Sequence, residues 1–393
     1  MTIEGKDGTL AFRRIRLGMI GGGEGAFIGA VHRIAARLDD HYVLLAGALS
    51  ASPAKARRSG LAIGLDRDRA YPDYETMLRR EEARPDGIEA VAIVTPNHMH
   101  APAAAACLEA GLHVICDKPL ATSLAEGRRL RKLTQGRRLV FAVTYNYTGY
   151  PMVRQARSMV AAGTLGRIRV VQVEYPQDWL TTRLELTGQK QAAWRTDPAR
   201  SGKGGAIGDI GTHAFNLAEF VTGLRVSELS ADLTRFVAGR RVDDNVQMLL
   251  RFRGGARGML WASQVAPGHE NGLKLRIYGE TGGLEWVQAE PNYLRWSPFG
   301  KAPQVISRGG VAVDAAAARV TRIPGGHPEG YLEAFATLYT EIAAAIRARS
   351  DRHRLAPEVQ FPGIEEGIRG LVFIEAGLRS AARNARWQRI GTA

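Results

Sequence analysis

The stretch that most narrows what this chain can fold into is Gly21-Gly22-Gly23-Glu24-Gly25-Ala26-Phe27-Ile28-Gly29. It follows the apolar run of residues 15–20 and precedes residues 30–38, whose apolar positions recur with helical spacing. Glycine lets the chain turn tightly there and removes the Cβ that would hold a diphosphate off the backbone, and the start of the next helix offers amide groups to an anion. A strict G-x-G-x-x-G would put glycine at position 26. The chain has Ala26 instead and its next glycine only at Gly29, so the turn is about three residues longer than the usual fingerprint. Strand, glycine turn and helix in this order open a dinucleotide-binding unit.

The alternation continues. Residues 43–49, 90–95, 113–117 and 139–144 read as buried strands, and residues 102–110 and 124–133 as intervening helices. This rhythm predicts a Rossmann-type, doubly wound parallel sheet over residues 1–145. A helix follows at 152–162. Period-two alternation then runs through 167–174, 226–236, 244–252, 257–264 and 274–279, with glycine turns at 253–255 and 280–283. Residues 146–393 therefore read as an α+β domain with a mostly antiparallel, open sheet. Residues 291–323 carry little pattern and read as loop-rich, while 330–348 and 363–384 read as closing helices.

A formal net charge of +14 raises the question of nucleic acid. The basic residues, mostly arginine, are scattered and not interleaved with aromatics, which favours a solvated basic surface or an anionic small ligand over a nucleic-acid partner. Two cysteines, Cys107 and Cys116, make neither a disulfide framework nor a zinc site by themselves, and point to a reducing compartment. Residues 1–14 are polar with no leader-like apolar core, and no apolar run approaches about 18 residues. The expectation is a cytoplasmic protein with no membrane partner.

The candidate chemistry lies in Gly208-Asp209-Ile210-Gly211-Thr212-His213. On a helix, Asp209 and His213 would share one face, and an imidazole beside a carboxylate suits proton abstraction near neutral pH. The same pair reads equally well as a helix cap and a structural histidine. The residues after the second strand include no carboxylate for a ribose diol; they present Ser50 and Ser52, followed by Lys55, Arg57 and Arg58. A serine with basic neighbours can accept a 2′-phosphate, and the same side chains also suit the polar face of a helix, so NAD and NADP stay open. His98 and His100 have no third ligand candidate nearby, so no metal is expected.

Five motifs together resemble those of the Gfo/Idh/MocA oxidoreductases. They are the glycine turn running on to His32, Thr95-Pro96-Asn97-His98-Met99-His100, Cys116-Asp117-Lys118-Pro119, Tyr145-Asn146-Tyr147, and Gly208-Asp209 with His213. They stand in the family's order and spacing over nearly the whole chain. Asp117 replaces the family's usual glutamate, which keeps the charge and shortens the reach.

The resemblance implies a catalytic set of Lys118, Asp209 and His213. His213 would be the base, Asp209 would orient it and favour the imidazolium, and Lys118 would hydrogen-bond the reacting oxygen. NAD or NADP would be held by Gly21, Gly23, Gly25, Ala26, Phe27, Ile28, Ser50, Thr95, Pro96, Asn97, His100, Asp117, Lys118 and Asn146. Asp178, Trp194, Arg195 and His327 would join the catalytic set around a sugar, polyol or glycoside, with the many arginines suiting an anionic one. A redox glycosidase using bound NAD and a non-catalytic cofactor sensor are the alternative readings. The resemblance further implies a homo-oligomer, dimer or tetramer, formed through the outer face of the second sheet.

Overall fold

The structure, a computed structural model, describes residues 2–4 and 10–391, with side chains from residue 13 onward. The polar opening read as carrying no leader lies partly outside these residues. A short antiparallel hairpin, β1 (Thr2–Glu4) with β2 (Leu10–Phe12), comes first. The first sheet then forms from β3 (Ile15–Gly21), β4 (Tyr42–Ala48), β5 (Ala90–Val94), β6 (His113–Cys116) and β7 (Phe141–Val143). All its strands are parallel, in the spatial order β4-β3-β5-β6-β7. The crossovers carry α1 (Phe27–Leu38), α2 (Pro53–Ala62), α3 (Tyr74–Glu82), α4 (His100–Glu109) and α5 (Leu124–Thr134). β5 is buried at every position, as a strand covered on both faces must be. The chain leaves β3 to one side for β4 and returns on the other for β5. A crevice therefore opens at the carboxyl ends of β3 and β5, where ligands of such sheets bind.

After α6 (Pro151–Ala161) comes β8 (Ile168–Pro176), then the short helices α7 (Lys190–Arg195) and α8 (Pro198–Ser201). A π-helical turn at Ile207–Gly211 runs directly into α9 (Thr212–Thr222). β9 (Val226–Thr234), β10 (Asn245–Phe252), β11 (Arg257–Ser263), β12 (Lys274–Gly279), β13 (Gly282–Val287), β14 (Tyr293–Pro298) and β15 (Gln304–Ser307) complete the second sheet with β16 (Gln388–Arg389). Its order is β15-β14-β13-β12-β8-β11-β10-β9-β16, and every pairing is antiparallel except β8 with β11. The expected mostly antiparallel sheet is present. The expectation of a loop over 291–323 needs correction, because β14, β15 and the short α10 (Ala315–Ala318) lie there. These strands are brief and run along the sheet edge, and only Leu294 and Ile306 bury fully, which leaves too few apolar positions to show a period.

The closing helices are α11 (Tyr331–Ser350) and α12 (Ile364–Ala381). α11 returns to the first sheet: Phe335, Leu338, Ile342 and Ile346 share a core with Ile15, Leu17, Val31 and Ala35. Tyr42 donates to the Tyr339 carbonyl, and His32 Nδ1 meets the Tyr339 hydroxyl at 2.9 Å.

Buried histidines make this fold sensitive to acid. Burial lowers His32 and His113 to about 4, and His113 Nδ1 accepts the Val140 N–H at 2.9 Å, a bond that protonation removes. Protonation is thus easier in the unfolded chain. Stability is full above pH 6.5 and is lost as pH falls from there towards 4, by on the order of 3 kcal/mol per histidine. Thermal unfolding is expected at a clearly lower temperature at pH 5 than at pH 7.5, and an unchanged midpoint would contradict this.

Candidate active site

The glycine turn at the end of β3 is fixed by packing. Gly21, Gly22 and Gly25 have φ of +82°, +73° and +76°, a left-handed region that glycine alone enters freely. A Cβ on Gly29 would lie 2.3 Å from the Gly22 oxygen, so α1 rests directly on the turn. A Cβ on Gly25 would meet nothing within 4 Å, and that side of the turn is open. Ala26 precedes the first turn of α1, which has no side-chain cap and no acidic residue. Phe27 is exposed and faces Tyr331 at the start of α11, with ring centroids 6.4 Å apart. Ser50 lies just beyond β4, where its hydroxyl accepts the Ser52 N–H at 3.2 Å.

The ends of β5, β6 and β7 bring the next motifs to the same crevice. Buried polar atoms without a partner collect there: Thr95 Oγ1, His98 Nδ1, Asn146 Nδ2 and His213 Nδ1. Such groups are costly to leave unsatisfied, and these four are donors or acceptors that a bound ligand could engage. Asn97 and His100 are already engaged. The Asn97 amide donates to the Ser201 carbonyl at 2.9 Å, and the two ring nitrogens of His100 face the carbonyls of Pro119 and Thr95. The first contact ties the crevice to the second domain, and the others tie two strand ends together. Pro96 sets the backbone before Asn97, and Asp117 Oδ1 accepts from Lys118 N and Thr144 Oγ1.

Lys118 reaches from the end of β6 to the π-helical turn, donating to the Asp209 carboxylate at 2.7 Å and to its carbonyl at 2.6 Å. The other carboxylate oxygen accepts from Gln264 Nε2 at 2.8 Å and Arg195 Nε at 3.3 Å. Burial pushes the Asp209 carboxyl up, but the Lys118 and Arg195 cations outweigh it and hold the group far below the usual range. Asp209 is therefore an anion under any working condition.

His213 sits one helical step further, 7 % exposed, with the rings of Tyr147, Tyr145 and Tyr175 around it at 4.9, 5.7 and 6.2 Å. No hydrogen bond joins it to Asp209. Burial and Lys118 push its pKa well below 6.5 despite the Asp209 charge, so the imidazole is neutral. The Asp209 charge does favour the imidazolium, but burial and Lys118 outweigh it, and the carboxylate oxygens bond to Lys118, Arg195 and Gln264 and not to the imidazole.

Among the second-domain residues, Arg195 packs over the Trp194 ring at 4.3 Å and joins the site through Asp209. Trp194 is buried, and its indole donates to Gln191. Asp178 is half-buried beyond β8, its carbonyl accepting from Thr181, and His327 is exposed in the loop before α11. Neither makes a hydrogen bond to the Lys118, Asp209 and His213 group. The sequence reading missed Gln264 and the aromatic wall of Tyr147 and Tyr175. A buried glutamine immediately after the alternating strand β11 was the available signal for Gln264. No group of three or more metal-ligating side chains exists among the described residues.

Residues 15–145 match the model of the oxidoreductase family with an NAD-binding Rossmann fold, and residues 153–285 match the GFO/IDH/MocA C-terminal domain. The chain is 35 % identical over 380 residues to the Bacillus subtilis protein named uncharacterized oxidoreductase YfiI, covering 95 % of this chain and 96 % of that one. It belongs to the Gfo/Idh/MocA family. Among solved structures, an oxidoreductase from Sinorhizobium meliloti is 54 % identical with a TM-score of 0.87, covering 96 % of this chain and all of that one. An inositol dehydrogenase homologue from Azotobacter vinelandii, solved with NADH and myo-inositol, is 37 % identical with a TM-score of 0.90, covering 96 % of this chain and 98 % of that one. As a Gfo/Idh/MocA protein, the chain has an NAD-binding Rossmann domain joined to the family's C-terminal domain.

Proposed function

We propose that the protein is an NAD(P)-dependent dehydrogenase that oxidises a secondary hydroxyl of a sugar or polyol, or reduces the corresponding ketone. The observation that carries this reading is the convergence of Lys118, Asp209 and a neutral His213 on the crevice at the ends of β5 and β6. The open cradle at Gly25, the uncapped start of α1 and the unpartnered Thr95 Oγ1 and Asn146 Nδ2 fit a nicotinamide dinucleotide. When bound, the nicotinamide ring accepts or returns a hydride at the substrate carbon.

The protein groups supply the remaining requirements. The neutral His213 takes the hydroxyl proton on its ring nitrogen, because a base must be unprotonated before the reaction starts. Lys118, with its ammonium already aimed by Asp209, donates to the reacting oxygen and stabilises the negative charge that grows there. Asp209, itself held by Gln264, keeps the ammonium in place. The Tyr147 and Tyr175 rings wall His213 with apolar surface, which supports a neutral imidazole as the base, and Arg195 over Trp194 places a cationic donor beside Asp209. The A. vinelandii complex with myo-inositol supports a neutral polyol as the first substrate to test.

The outer face of the second sheet exposes Leu249 beside Met259. An apolar face of this kind suits a second copy of the chain and supports the homo-oligomer that the resemblance implies.

The deciding experiment incubates the protein with NAD or NADP and a panel of sugars, polyols and aryl glycosides, following nicotinamide absorbance and aglycone release together. Accumulation of reduced cofactor with a sugar or polyol is expected. Aglycone release without accumulation identifies the redox glycosidase instead, and cofactor binding with neither signal identifies a sensor. Sedimentation of the same preparation is expected to show a dimer or tetramer, and a monomer would exclude that association.

A further inference from the structure

The helix that carries Asp209 and His213 begins at a single anchoring residue outside it. Three successive amide groups, those of Gly205, Ala206 and Ile207, all donate to Asp243, which lies in the loop before β10. Gly205 N reaches one carboxylate oxygen at 2.7 Å, Ile207 N the other at 2.8 Å, and Ala206 N the Asp243 carbonyl at 2.9 Å. The fit is close: a Cβ on Gly205 would stand 2.0 Å from the Asp243 carbonyl oxygen. Asp243 is 6 % exposed, and no cation pairs with its carboxylate among the described residues. Its neighbour Asp244 faces elsewhere, accepting from Phe236 N and Val237 N and pairing with Arg240.

From these contacts we infer that Asp243 is a positioning residue for the reaction proposed above, fixing through the Gly205–Ile207 backbone where the Asp209 carboxylate, and with it Lys118, comes to rest. The start of a helix leaves several N–H groups without partners and carries a partial positive charge, so a buried carboxylate across them both satisfies donors and complements the dipole. Asp209 follows within the first turn, its own N–H bonded to the Gly205 carbonyl at 2.9 Å. Movement of Gly205 is thereby transmitted to the residue that aims the Lys118 ammonium. A displacement of about 1 Å at a reacting group can cost on the order of 100-fold in rate. The Asp243 carboxyl is itself raised to about 6, first by burial and further by Asp244, with the amide bonds pulling the other way; assays at pH 8 keep it ionised.

The test uses Asp243→Asn, which is isosteric but offers one acceptor and a misplaced amide donor, beside Asp244→Asn as a control for damage to the same loop. Hydrogen exchange of the peptide spanning residues 203–215 reads the anchor without reference to turnover. In Asp243→Asn this peptide is expected to exchange about tenfold faster while the first domain is unchanged, and kcat to fall about 10- to 100-fold with dinucleotide affinity within twofold. Asp244→Asn is expected to leave both readouts near those of the unsubstituted protein. Unaltered exchange in Asp243→Asn, unaltered kcat despite faster exchange, or an equal kcat loss in Asp244→Asn would each overturn the assignment. If the unsubstituted protein turned over no sugar or polyol, the reaction reading would fail, and the positioning role would fall with it; exchange would still report whether Asp243 anchors the helix.

Discussion

Replacing Lys118 by alanine is expected to lower kcat by on the order of 10²–10³-fold while dinucleotide affinity, read by fluorescence titration, changes only a few-fold. The ammonium is the one cation in direct contact with Asp209 that comes from the first domain, and in the proposed reaction it would stabilise the negative charge that develops on the substrate oxygen. Its loss does not strand a buried carboxylate, because Arg195 and Gln264 continue to donate to Asp209. Folding should therefore survive. A second signature separates this role from a merely structural one. Lys118 is among the causes that hold the His213 pKa down, so removing it raises that pKa, and the acid limb of the residual activity should move to higher pH. Lys118→Arg is expected to rescue poorly, since a planar guanidinium cannot place one compact charge against both the carbonyl and the carboxylate of Asp209. Turnover retained in Lys118→Ala would remove this residue from the mechanism.

The second large effect is expected from Gly29→Ala. Helix propensity alone predicts a gain of about 1 kcal/mol, because alanine replaces glycine inside α1. Packing predicts the opposite sign and wins. The new methyl would stand 2.3 Å from the Gly22 oxygen and 2.4 Å from its Cα, and both are backbone atoms of the turn that cannot swing aside. Either α1 lifts or the turn opens, at a cost of about 1–3 kcal/mol for forced overpacking, and both outcomes disturb the cradle that faces the open side at Gly25. Urea unfolding should show a loss of stability and titration a loss of dinucleotide affinity of tenfold or more. A more stable variant that binds NADH normally would show that α1 and the turn are not in the contact described.

These two residues illustrate how unevenly the molecule could be read from its sequence. The first sheet was legible because fully buried parallel strands such as Ala90–Val94 announce themselves as short apolar runs, and because Gly21, Gly22, Gly23, Gly25 and Gly29 have few uses other than a tight turn under a helix. The long strands of the second sheet were legible through their period of two. β14 and β15 were not, since β15 at the sheet edge and β14 next to it bury too few side chains to impose one. At the site, Lys118, Asp209 and His213 stood out by motif and order. Their partners did not: Gln264 and Asp243 are ordinary polar residues in sequence, and only the sheet that carries them brings them to Asp209 and to the start of its helix.

By itself, then, the sequence determined the two kinds of sheet, because these depend on local periodicity and on residue types with few alternatives, and it singled out Lys118, Asp209 and His213 through the motifs shared with the Gfo/Idh/MocA oxidoreductases. Tertiary structure alone decided the charge states and the alliances. Asp209 bonds to Lys118, Arg195 and Gln264, not to His213, and His213 is neutral because aromatic rings and a nearby ammonium surround it. Protonation follows from burial and from the charges within a few ångströms, and the neighbours of Asp209 come from 14 residues away for Arg195, 55 for Gln264 and 91 for Lys118, which belongs to the opposite domain.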